Sequence, residues 1–273
     1  MRLLTIALTS LLIAAGCASA PSMLTPPPAQ VNEFKFYQYP ASVAESHVSV
    51  NLNDEKTITY IQNFGGGGVG VGLLLGPVGV LANVKMIEAN TEEDKEMLYG
   101  KLPIDIYKTF TEVGANANLT EQAQAQSKIS PYLLVVRDED EVLRMATVMT
   151  VELETEGSKP WSGMYLYELD RTYAKADIAA GLNAMQQEEL QTLIEEGFSQ
   201  AIQLYDADRQ NQMVSGSLVE FESNLITPRI AIAQRGEVIQ KQAGRTLLRG
   251  VNAIYSFPAD SFKITRYLKK KKA

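Results

Sequence analysis

The sequence predicts an α+β fold: an antiparallel three-strand meander flanked by two helices, an α/β sandwich over residues 91–212, followed by a small antiparallel β module over residues 213–268. Three observations carry this. Strand-like runs at Tyr132–Arg137, Val142–Glu154 and Met164–Tyr173 are joined by Asp138-Glu139-Asp140-Glu141 and by Gly157-Ser158-Lys159-Pro160, both suited to hairpins. Leu190, Leu193, Ile194, Gly197, Ala201, Ile202 and Tyr205 recur at helical spacing, with Glu188, Glu189, Glu195 and Glu196 on the opposite side. After Gln212 the texture changes to short β segments separated by Arg235-Gly236, Ala243-Gly244 and Gly250, either a separate β module or the completion of a sheet begun by the early strands.

In chain order, residues 31–64 read as an N-terminal β segment. Its runs are Glu33–Tyr37, His47–Leu52 and Thr57–Gln62, the last two flanking a turn at Asn53-Asp54-Glu55. Thr91, with Asp94 three residues on, has the form of a capping box opening a helix that Pro103 interrupts and Gly114 ends. Ile106, Tyr107, Phe110 and Val113 then share one face, which belongs against a sheet. Residues 114–130 are polar, with a short helix expected from Thr120. In the middle strand of the meander, Met145, Thr147, Met149, Val151 and Leu153 share a face. In the third, Tyr165, Tyr167 and Leu169 do so. Asn183 with Gln186 forms a second capping box and opens the glutamate-backed helix. The later β segments are Ser217–Glu222, Arg229–Gln234, Glu237–Gln242, Arg245–Arg249 and Val251–Phe257.

Between the N-terminal β segment and the sandwich lies an apolar glycine-rich segment, residues 65–84. No charged residue occurs from Thr57 through Val84. Gly70-x-Gly72-x-x-x-Gly76 follows a strand, as a dinucleotide fingerprint would, but Pro77 opposes a helix there and no acidic residue ends a second strand about 20 positions later. Gly68, Gly72 and Gly76, at intervals of four, would make a smooth ridge on a helix, although each glycine costs about 1 kcal/mol relative to alanine. Leu73, Leu74 and Leu75 with the neighbouring valines form too large an apolar patch to stand in water. Three covers remain open: the chain's own body, a protein partner or second copy, or lipid through a re-entrant hairpin at Gly76-Pro77. The six residues Gly68, Gly72, Gly76, Leu73, Leu74 and Leu75 are the expected contact or packing element.

Composition excludes several chemistries. The 273 residues carry a formal charge of −7, which argues against nucleic-acid binding, and this is acidic despite the basic tail Lys269-Lys270-Lys271-Lys272 at residues 269–273. That tail is either a solvated end or an electrostatic foot on an anionic surface. One cysteine and one histidine, Cys17 and His47, leave no disulfide and no histidine-rich metal site, so neither metal nor cofactor is expected. No Gly-x-Ser-x-Gly elbow is present, the acidic turn at Asp138–Glu141 lacks a calcium loop, and Asp206 and Asp208 close a helix without forming an acid–base pair. Trp161, at a meander turn, is either packed or a recognition aromatic.

At the N-terminus, Arg2 precedes an apolar run from Leu3 to Ala15 that ends in Ala14-Ala15-Gly16-Cys17. This resembles the lipobox of bacterial lipoproteins, although Ala14 stands where leucine is most usual. The resemblance implies a signal peptide at residues 1–16, acyl chains on Cys17 as the covalent lipid, and a lipidated, proline-rich tether at residues 17–30. Ala18 after the cysteine favours the outer membrane. The helix–meander–helix order also resembles small periplasmic α/β domains of secretion and envelope-assembly lipoproteins. The expected function is therefore a non-enzymatic outer-membrane lipoprotein, facing the periplasm and working by contact with a protein partner or a second copy. A ligand-binding protein or envelope hydrolase with an unmarked cleft is the alternative, and a membrane-inserting or pore-forming role of the glycine run the third.

Overall fold

The computed structural model describes residues 23–28, 35–38, 49–62, 76–122, 125, 127–138, 141–154, 159–226, 234–242 and 244–269. The fold is mixed α+β, with one large, mostly antiparallel sheet. Its elements are β1 (Lys35–Gln38), β2 (Ser49–Asn51), β3 (Ile58–Gln62), α1 (Gly76–Leu98), α2 (Ile106–Asn116), β4 (Thr120–Glu121), β5 (Ser127–Arg137), β6 (Val142–Leu153) and β7 (Trp161–Glu168). There follow β8 (Tyr173–Ala174), α3 (Lys175–Ala180), α4 (Ala184–Arg209), β9 (Leu218–Ser223), β10 (Gln234–Gln242), β11 (Arg245–Arg249), β12 (Ala253–Pro258) and β13 (Phe262–Tyr267).

The strands β5, β6 and β7 pair antiparallel in sequence, with Leu133 opposite Thr147 and Thr147 opposite Tyr167. They do not stand alone. β7 pairs in parallel with β12, which carries the sheet on through β11, β10, β9 and β13, so the C-terminal β segments are hydrogen-bonded to the meander in one sheet. On the far edge of β5, β1 and β3 pair in parallel with its two halves. Pro131 falls in the gap between them, where β1 ends opposite Ile129 and β3 begins near Leu133. Leu133 donates its N–H to Thr57 on that edge, so the N–H that Pro131 lacks would have pointed at the gap, and the proline costs the ladder nothing.

Alternation along the central strands divides the interior in two. Ile129, Leu133 and Val135 of β5 and Met145, Met149, Val151 and Leu153 of β6 face the helices, with Phe110 of α2 and Leu190, Ile194, Phe198 and Ala201 of α4. Tyr132, Leu134, Val136, Ala146 and Val148 face the other way and cluster with Phe221, Tyr255 and Phe257. This second core draws on strands and on the segment after β9, and among the described residues no helix residue belongs to it. α4 lies close against the sheet at Gly197, where an added Cβ would lie 2.5 Å from Thr147 Oγ1.

α4 is the element that agrees best with expectation: Asn183 Oδ1 accepts from Gln186 N, Asn183 N donates in return to Gln186 Oε1, and the apolar stripe is buried apart from the partly exposed Leu193. α1 differs. It begins at Gly76-Pro77, so Pro77 sits in the first turn, where its missing N–H would have had no partner in any case. Thr91, expected as an N-cap, is inside the helix and donates its hydroxyl to Ile87 O and Gln62 Oε1. Thr120, expected to open a helix, lies in β4, and β13 was not foreseen. No helix among the described residues is long and apolar enough to cross a membrane.

Candidate functional site

Among the described residues, three buried charged clusters and a cleft beside α4 gather polar side chains. In the first, Asp94 of α1, 2% exposed, accepts from Tyr60 Oη at 2.5 Å, Arg137 Nη1 at 2.6 Å and Lys175 Nζ at 2.9 Å. Burial pushes this carboxyl up, but the hydrogen bonds from Tyr60, Lys175 and Arg137 outweigh it and hold the group below its ordinary range. Burial and the Asp94 carboxylate drive the Tyr60 hydroxyl far up. Lys175 also reaches Glu141 at 2.6 Å, and Arg137 pairs with the same glutamate, so α1, β3, β5 and the start of α3 are tied at one point.

The second cluster repeats the pattern at the C-terminal end of α4. Asp208, fully buried, accepts from Tyr165 Oη at 2.9 Å and from Arg249 Nη2 at 2.5 Å. Burial, then Asp208, drives the Tyr165 hydroxyl far up. Arg249 Nη1 donates to Leu24 O at 3.1 Å, Leu24 N to Gly250 O at 2.8 Å, and Trp161 Nε1 to Thr25 O at 3.0 Å. Leu24 is itself part of the core. Part of the proline-rich segment expected as a spacer is thus a strap on the body. Trp161 is packed, lying over Gly163, where an added Cβ would come within 2.4 Å of its ring.

In the third, Glu168 is 1% exposed; it accepts from Ser261 Oγ at 2.6 Å and lies 3.4 Å from Arg144 Nη1. Burial pushes its carboxyl up to about 7, against the opposing pull of Ser261 and Arg144. Arg144 turns its Nε to Asp138 at 3.2 Å.

The cleft, of about 620 Å³, opens between α4 and the β10–β11 hairpin. Gln200 and Gln203 of α4, Met213 and Val214 after it, and Ile239, Gln240 and Leu247 of the hairpin line it. Arg245, the cation among its described lining residues, is committed: it lies 3.8 Å over the Tyr167 ring, donates to Glu168 O and Ser256, and pairs with Asp170. Amides and apolar walls can hold a peptide or a polar ligand by hydrogen bonds and contact. None of Asp94, Asp208 and Glu168 lines it.

Of the residues singled out from sequence, Gly76 begins α1. Cys17, His47, Gly68, Gly72, Leu73, Leu74 and Leu75 lie outside the described residues. Asp94, Asp208 and Glu168 were missed as buried groups. Two of them had left a signal: Asp208 continues the Leu190–Tyr205 stripe, and Asp94 lies four residues before buried Leu98, so each is a charge on an apolar face and demands a buried partner. Among the described residues no group of histidine, cysteine, aspartate and glutamate is placed to hold a metal ion. Compared with protein-family models, with curated proteins and with solved structures, the chain matches none.

Proposed function

We propose that this chain is a non-enzymatic lipoprotein, anchored through acylated Cys17 in the outer membrane and facing the periplasm, that works by protein contact as an accessory or assembly component of the envelope. The glycine-rich run, with Gly68, Gly72, Gly76 and Leu73–Leu75, is its contact element. The observation that carries the non-enzymatic reading is where the buried charges go. Among the described residues, the three buried carboxylates are each clasped by cations or hydroxyls that join structural elements, and none lines the cleft, whose own guanidinium is already satisfied. A general acid or base needs reach to a substrate proton, which these groups lack.

The test is made on full-length protein in its own envelope. Cys17→Ser is expected to move the chain from the outer-membrane fraction to the soluble periplasm. Replacing Leu73, Leu74 and Leu75 by serine is expected to abolish site-specific cross-links to a partner or a second copy while circular dichroism and Tm stay unchanged. Cross-links that persist in the triple variant would sink the contact role of the run. The cleft favours a second reading, a binding protein for a small polar ligand. Leu247→Trp, which fills the cleft, would then abolish a ligand-induced rise in Tm and leave the cross-links alone.

A further inference from the structure

The strap over residues 23–28 lies outside the strands, yet the body holds it as a docked peptide is held. Both backbone groups of Leu24 are bound: its N–H donates to Gly250 O at 2.8 Å, and its carbonyl accepts from Arg249 Nη1 at 3.1 Å. Trp161 Nε1 donates to the next carbonyl, Thr25 O, at 3.0 Å. Leu24 and Pro27 are buried, while Thr25 and Pro26 between them are exposed. A spacing of three is the period of a polyproline II helix, which lays one face into an apolar groove and leaves its carbonyls open to donors. Pro26, Pro27 and Pro28 restrict the backbone in advance, and Thr25, standing before a proline, is biased to the extended form.

The receiving groups are positioned by the body itself. Arg249 Nη2 is fixed on Asp208 Oδ1, and Tyr165 holds Asp208 Oδ2, so Nη1 stays aimed at the strap. The Trp161 ring lies on Gly163, where a Cβ would come within 2.4 Å of it, and this seat orients the indole N–H toward Thr25. Donors that keep their places without a ligand cost binding little reorganisation. Two buried side chains and three hydrogen bonds stand against the ordering of six residues, terms of comparable size, so the strap opens locally while sheet and core remain. We propose that this is a recognition site for an extended segment with leucine and proline three residues apart, filled in cis by residues 23–28 and taken by a partner protein's segment of that chemistry when the strap lifts. The site reads backbone groups and two apolar side chains, none of which requires the ligand to belong to the same chain. Tethering gives the strap an effective concentration on the order of millimolar, so it excludes weak competitors and yields to a tight one. The proposal goes beyond the contact role of the glycine-rich run and needs neither that run nor an acylated Cys17.

Trp161 is the only tryptophan in the chain, so its emission reports the site directly. The experiment uses full-length protein in mild detergent and a capped, fluorescein-labelled peptide with the sequence from Ser22 to Gln30. Leu24→Lys puts a cation into the core seat of Leu24 and is expected to free the strap, shifting Trp161 emission to the red with circular dichroism unchanged. The peptide is expected to bind this variant about tenfold more tightly than it binds the wild-type chain, whose site is open only a fraction of the time, and to reverse the shift. A peptide with lysine in place of leucine is expected not to bind. Absence of binding to the folded variant, or equal binding of the two peptides, overturns the proposal. Wild-type dimers that form with concentration and dissolve on adding the peptide would give the site to a second copy and overturn the partner. Hydrogen exchange of the wild-type chain decides the case if Leu24→Lys fails to fold. The Leu24 amide is expected to exchange at least about tenfold faster than that of Val148 in the central strand, and equal rates would make the strap inseparable from the core.

Discussion

Two helices of this protein each give up an aspartate to the interior, and the same kinds of group receive both. Asp94 of α1 meets Tyr60 of β3 and Arg137 of β5; Asp208 of α4 meets Tyr165 of β7 and Arg249 of β11. The difference is in the second cation and in the access of water. Asp94 is shared by Arg137 and Lys175, each about 15% exposed and each also paired with the half-exposed Glu141. Asp208 has one cation, Arg249, which is 5% exposed and spends its other nitrogen on the strap at Leu24. The first cluster is a junction that can lose a member and rearrange. The second is sealed, and losing a member leaves a lone charge in the core.

The largest expected effect tests that contrast directly. Asp208→Ala strands Arg249 and should cost about 3–5 kcal/mol in urea unfolding. Asp94→Ala leaves Arg137 and Lys175 near water and beside Glu141, so its loss should be smaller, about 2 kcal/mol. Equal losses, or a larger one at Asp94, would break the contrast.

A pH profile sharpens it, because the buried carboxylates titrate in opposite senses. The Asp94 carboxyl is held below its ordinary range, so its contribution is fully present above the unfolded value and is lost as pH falls through the folded one. Glu168 is the reverse. Pushed from 4.5 to about 7 by burial, it binds its proton more tightly folded than unfolded, so its contribution is fully present below 4.5 and is lost as pH rises through about 7. That span amounts to about 3 kcal/mol. Glu168→Gln should flatten the fall in Tm between pH 4.5 and 7, with Arg144, Arg245 and Ser261 left in place around it, and Asp94→Asn should weaken only the acid limb. A slope between pH 4.5 and 7 that survives Glu168→Gln would assign that limb to another group.

What could be read from sequence divides along similar lines. α4 was legible because its cap, stripe and glutamate face all agree, and β5–β7 because alternation and turns agree. α1 was not: Thr91 and Asp94 imitate a capping box, while the true start lies among glycines that argue against helix. Edge strand β13 carries a short alternation, Phe262-Lys263-Ile264-Thr265, but only Phe262 and Ile264 reach the core and the run passes straight into the basic tail, so the β segments read from sequence end at Phe257. The parallel pairings of β3 with β5 and of β7 with β12 join segments far apart in sequence, and no local pattern encodes them. The carboxylate clusters were half legible, since a charge on an apolar stripe announces a partner without naming it. Leu24 gave no signal at all, because a lone leucine beside prolines reads as linker until Arg249 and Gly250 are seen to bind its backbone.

The smallest effect separates a working cap from an imitation. At Asn183 the side chain satisfies the N–H of Gln186 and the box is closed in both directions, so Asn183→Ala should cost about 1 kcal/mol and Asn183→Asp, another good cap, only a few tenths. Thr91 looks the same in sequence, but its hydroxyl is spent on Gln62 and Ile87 inside a helix already formed. There the exchange to aspartate would bury a second carboxylate one turn from Asp94, a loss no capping bond offsets. Tolerance of aspartate at 183 and intolerance at 91, read as Tm for the two variants, would distinguish the positions; equal tolerance would mean that α1 begins near Thr91 after all.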